Sequence, residues 1–128
     1  GQATLDNVRV YEWLNYLGGV VHGQAFGGLY RPERLVDDPK LHFAIRDKAL
    51  KNLKQSFVLI ETKMAIAGTT CAVRNSFTAA DAYLFVLYRW AGAFIENMET
   101  EFPHLLVWVR KLLEREAIIR ALEVHTGV

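Results

Sequence analysis

The residues best suited to chemistry lie together near the N-terminus, in LNYLGGVVHGQAFGGLY, Leu14 to Tyr30. Asn15 and His22 carry hydrogen-bonding groups, with Gly18, Gly19 and Gly23 between and beside them. At about 100° per residue, side chains three, four and seven apart share a helix face. That spacing puts Asn15, Gly19, His22 and Phe26 on one narrow stripe, flanked by Tyr11 and Gly18, and Val10, Trp13, Leu14, Leu17 and Val21 on the other side. An amphipathic helix ordinarily fills its second face with charged residues. This one is small, aromatic and hydrogen-bonding. Glycine inside a helix costs about 1 kcal/mol relative to alanine, so the glycines imply either a break or a close approach to the backbone. Spacing alone leaves two readings open: a binding face, or a structural histidine on a helix whose glycines pack against a neighbour.

A second constellation is FTAAD. Thr78 suits a helix cap, and Asp81, three residues later, can reach back to the cap's N–H. Asp81 also sits at the positive end of the helix dipole. Any good helix start has this form, so the pair is a folding signal first, and Asp81→Ala is expected to destabilise the fold. Cys71 is the single cysteine. It excludes an internal disulfide, fits a reducing cytoplasm and has no histidine at zinc-ligand spacing. His42, His104 and His125 belong to no catalytic pattern and are expected at the surface.

The elements that must position these residues read as helices throughout, since no stretch alternates with period two. The first helix is expected from near Asp6 to around Phe26, ended by Gly27-Gly28 and Arg31-Pro32. Asp37-Asp38-Pro39 starts the next, which runs as a long amphipathic helix to about Met64. AIAGTTCAVRNS connects it to a third helix at Thr78, apolar nearly all round and therefore central. Further helices are expected from near Pro103 and, after a polar break at Glu114 to Glu116, over Ala117 to Leu122. The sum is an all-α bundle of five to six helices in one domain.

Bulk properties narrow the partners. The net charge is +1 over 128 residues, with 52% hydrophobic and 23% charged residues. Basic residues are dispersed, which gives no electrostatic reason for nucleic acid or an anionic membrane as partner. No apolar run approaches the roughly 18 residues of a membrane span, and no signal-peptide pattern opens the chain. The chain starts Gly1-Gln2 without an initiator Met, the start expected of a piece of a longer protein.

FTAADAYLFVLYRWA resembles the sixth-helix motif in the C-terminal domain of glutathione S-transferases. YEWLNYLGGVVHGQAFGGLYRP resembles the fourth helix of their bacterial beta class, with one extra residue between His22 and Phe26. The resemblance covers essentially the whole chain, residues 1–128. It implies the helical half of a two-domain cytoplasmic detoxification enzyme, with a thioredoxin-like N-terminal domain outside these residues. It further implies conjugation or exchange of glutathione on small electrophiles, with glutathione as co-substrate and no permanent cofactor or metal. The full-length protein would be a homodimer and the isolated domain inactive. By the same resemblance Asn15, Gly19, Val20, Val21 and His22 lie at the glutathione site, His22 being the catalytic candidate. Phe26, Tyr30, Tyr88 and Trp90 are candidates for the electrophile pocket. Helical domains of this fold also serve as protein-interaction modules without transferase chemistry, which is the alternative function.

Overall fold

The computed structural model describes residues 1–126, with side chains through Val124. Those residues are helical with turns and contain no strand. Helix α1 (Gln2–Tyr16) passes without interruption into a π-helical segment (Leu17–Phe26) and then into α2 (Gly27–Tyr30). Two 3₁₀ turns (Pro32–Arg34 and Pro39–Leu41) lead into α3 (His42–Ala67). Then come α4 (Ala79–Ala91), the single turn α5 (Met98–Glu101), α6 (Pro103–Leu112) and α7 (Glu116–Thr126). The first helix therefore begins earlier than expected, and the glycine pair Gly27-Gly28 does not end it.

Local chemistry sets the ends of these helices. Asp38 accepts a hydrogen bond from the Lys40 amide at 3.0 Å, and Pro39 occupies the first position, where no N–H is needed. Gly68 closes α3 in the left-handed region at φ 61°, its amide bonded to the Met64 carbonyl. Glu61, on α3, reaches across to the start of α6 and accepts from the amides of His104 and Leu105 at 2.7 and 3.0 Å. A carboxylate from one helix thereby caps another, satisfying amides that have no intrahelical partner.

One continuous core joins the elements. Trp13, Leu17, Val21 and Phe26 come from the first helix, Leu53, Phe57 and Ile60 from α3, Leu84 and Leu87 from α4, and Leu105 and Trp108 from α6. Helix α4 runs through the middle, as its apolar sequence suggests, but one side is open: Val86, Arg89 and Trp90 are exposed. Helices α2 and α3 pack tightly at Gly28, where an added Cβ would lie 2.8 Å from the Ala49 Cβ of α3. The glycine needed for helix contact is thus Gly28, and not Gly19, around which a Cβ would meet nothing within 4 Å.

Candidate functional site

The π winding decides which way the site residues point. The Gly27 amide bonds the His22 carbonyl, five residues back. At about 100° per residue Phe26 would stand half a turn from Leu17; at the roughly 80° of i→i+5 winding it returns to the same side. Phe26 is accordingly buried in the core, not on an exposed stripe with Asn15. The same winding leaves His22 about a third of a turn from Asn15, rotated toward α4. Glycine makes the wide turn passable: a Cβ on Gly23 would press on the Gly18 carbonyl oxygen at 3.0 Å.

His22 meets α4 directly. Its Nδ1 lies 2.5 Å from the Tyr83 hydroxyl, and its ring stands edge-on to Trp90 at 5.4 Å between centroids. Phe26 and Tyr30 lie nearly parallel at 6.1 Å, and Trp90 is perpendicular to both. Such edge-to-face arrangements are the favoured packing of aromatic quadrupoles. Around them opens a cavity of about 470 Å³, bounded by His22, Gly23, Phe26, Tyr30, Arg31, Arg34 and Trp90. Trp90 is 39% exposed and Tyr30 51%, so the aromatic surface is accessible. A larger apolar groove of about 720 Å³, between the π segment and α3, adjoins it and shares Arg31 and Arg34.

Two proposed residues do not join this site. Tyr88 packs against Phe57 at 6.5 Å and Trp108 at 6.2 Å, on the opposite side of α4 from Trp90. The cause is simple, since two helical steps rotate a side chain by about 200°. Burial and the Glu99 charge push its phenol above the usual tyrosine range. Val21 is fully buried, so its side chain belongs to the core and cannot present itself to a ligand on the outer surface. Asn15 and Gly19 are exposed and Val20 half-buried. Sequence reasoning missed Tyr83. It lies seven residues before Trp90, the spacing that brings two side chains onto one helix face. Burial pushes the Tyr83 phenol up as well, which keeps it protonated and able to donate.

Asp81 has a different character. It is fully buried, forms the capping box with Thr78, and accepts from the Thr78 amide at 3.0 Å and its hydroxyl at 3.3 Å. It also accepts from the Ala72 amide at 2.8 Å and Trp108 Nε1 at 3.0 Å. Trp13 Nε1 donates to the Ala72 carbonyl, so the backbone of this one residue is held from two helices. Cys71 beside it is buried; desolvation first, and the Asp81 charge second, raise its thiol pKa above the ordinary value. A thiol in that state is a poor nucleophile. His42 is half-buried and bonds the Val36 carbonyl, His104 is exposed and pairs with Glu61, and the side chain of His125 lies outside the described residues. Among the described residues no cluster of metal-ligating side chains forms, and no helix is long and apolar enough to cross a membrane.

Comparison with known proteins adds the family. The model of the family "Glutathione S-transferase, C-terminal domain" matches residues 43–116, more than half of the chain. Glutathione S-transferase GstA of Escherichia coli O157:H7 is 30% identical over 120 residues, which cover 93% of this chain and 54% of that protein. The chain thus spans about half the length of the curated relative it matches. No solved structure matches it significantly. With an all-helical fold and a family match across most of α3, α4 and α6, the chain belongs to the glutathione S-transferase C-terminal domain family.

Proposed function

We propose that this domain forms the electrophile pocket and one wall of the glutathione site in a transferase that conjugates or exchanges glutathione on small electrophiles. The observation that carries this reading is the His22–Tyr83 pair, held at the mouth of an aromatic cavity beside the open surface of Asn15 and Gly19. Tyr30 and Trp90, backed by the buried ring of Phe26, seat the electrophile. Asn15, Gly19 and the backbone around Val20 face glutathione. Tyr83 donates to Nδ1 of His22, so that Nε2–H points a hydrogen bond toward the glutathione sulfur. A thioredoxin-like N-terminal domain supplies the rest of the glutathione site, in a cytoplasmic homodimer.

Rate enhancement then comes from holding the thiolate next to a bound electrophile, with proximity and a lowered thiol pKa as the main terms. His22 steadies the developing sulfur charge. A protein-docking role for the same face is the competing reading, and the exposed Val8, Tyr11 and Val86 would serve it. It gives no use, however, to a histidine fixed by a tyrosine.

The test is conjugation of chlorodinitrobenzene with glutathione, measured for the full-length protein and for residues 1–128 alone. Activity is expected in the first and none in the second. Turnover by the isolated chain, or a full-length protein that neither binds glutathione nor turns over, overturns the proposal.

A further inference from the structure

We infer that the electrophile seated beside His22 carries a negative charge next to its aromatic ring, and that Arg31 and Arg34 select it. The inference rests on the proposed function only in taking this cavity as the electrophile's seat.

Its basis is a mismatch of charge. The cavity wall is aromatic, with the exposed rings of Tyr30 and Trp90 giving apolar contact and the buried Phe26 packed behind them. Arg31 and Arg34 line both this cavity and the adjoining groove, and Lys48 adds a third cation to the groove. No Asp or Glu lines either space; Glu33, between the two arginines in the chain, faces neither. Among the described residues Arg31, Arg34 and Lys48 make no ion pair, whereas five pairs form elsewhere in the domain. Solitary exposed arginines are common and well solvated. Two that border an apolar recess with no counter-charge are in another situation, because low-dielectric walls concentrate their field in the space between. The guanidinium fork matches a carboxylate in two parallel hydrogen bonds. An aromatic ring bearing a carboxylate fits both halves of the site. A neutral aromatic uses only one.

Glutathione also carries carboxylates, and the test must separate the two claimants. It uses the full-length enzyme, with chlorodinitrobenzoate and its methyl ester as a matched pair differing in charge. Replacing both arginines (Arg31→Gln with Arg34→Gln) is expected to lower kcat/KM for the acid about tenfold, the scale of a lost charge-assisted hydrogen bond. The ester should change by less than about twofold, with the KM for glutathione unaltered. An equal loss on acid and ester, an unchanged rate on the acid, or a loss confined to the KM for glutathione overturns the inference. Calorimetric binding of unreactive dinitrobenzoate and its methyl ester gives a readout that needs no turnover. If binding keeps the arginine-dependent preference while no conjugation occurs, the transferase reading fails and the cavity's selection of aromatic anions by Arg31 and Arg34 stands. If conjugation proceeds without the preference, only this one falls.

Discussion

Helix α4 carries two polar centres on opposite sides, and they obey opposite rules. Asp81 is fully buried and accepts from four donors, so nothing is left for a ligand. His22 reaches α4 from the π segment, takes one protein hydrogen bond, and leaves its other face at an open cavity. A buried polar group is tolerated only when satisfied; a site for chemistry must keep something unsatisfied. The difference separates what holds this domain together from what it offers to a substrate. It also predicts where mutations should cost stability and where they should cost activity.

The largest effect belongs to Asp81. Removing the carboxylate leaves the Ala72 and Thr78 amides and the Trp108 indole N–H without acceptors. Each buried orphan costs about 1–3 kcal/mol, and partial relaxation brings the sum for Asp81→Ala to about 4 kcal/mol. For a domain of this size that lowers the thermal midpoint by more than about 10 °C. Thermal unfolding followed by circular dichroism measures it. A variant with an unchanged midpoint but lost glutathione binding would place Asp81 in the ligand site after all, and erase the contrast.

Glycines allow the same comparison within one continuous helix. Gly28 faces α3 so closely that an alanine there must displace Ala49, and overpacking of this kind costs about 1–3 kcal/mol. Gly19 lies in open space on the exposed side. Gly19→Ala should therefore stabilise by up to about 1 kcal/mol through backbone entropy. Unfolding in urea should show the two signs, and Gly28→Ala should be rescued by Ala49→Gly in a double-mutant cycle. Equal destabilisation at both positions would mean that the exposed stripe is packed against something in solution.

Most of the scaffold was legible in the sequence because its signals are local. Asp38-Pro39 and Thr78/Asp81 are helix starts, and Gly68 is a helix end, each readable from a few neighbours. The site was half legible. Residue type pointed to His22 and Trp90, which do meet, but the assumed helical period sent Phe26 to the wrong side. Ten residues here wind as a π-helix, whose wider turn of about 80° per residue returns Phe26 to the side of Leu17. Residue type and position favour Tyr88, although the angle from Trp90 argues against it, and they do not single out Tyr83, for which the angle argues. The second roles of Asp81 were hidden for another reason. Its contacts to Ala72 and Trp108 join residues 9 and 27 positions apart, which no local pattern encodes.

The smallest effect on stability should come from the residue that most directly tests the open side of α4. Tyr83→Phe removes one hydroxyl at a half-buried position and leaves the ring, so the thermal midpoint should stay within about 1 °C. If the hydroxyl serves to hold His22, the loss appears elsewhere. With Nδ1 no longer fixed, the imidazole turns on its edge contact with Trp90, and kcat for glutathione conjugation by the full-length enzyme falls about tenfold. The KM for the electrophile should hardly move, because Phe26, Tyr30 and Trp90 keep their positions. Combining it with His22→Ala separates the direct from the indirect role. Once the histidine is gone, deleting the hydroxyl should have no further effect on kcat, since both changes remove one unit. Additive losses would show that Tyr83 touches the reaction itself. No loss in the single variant would return the hydroxyl to the same class as the bonds around Asp81, a contact that fastens helices together.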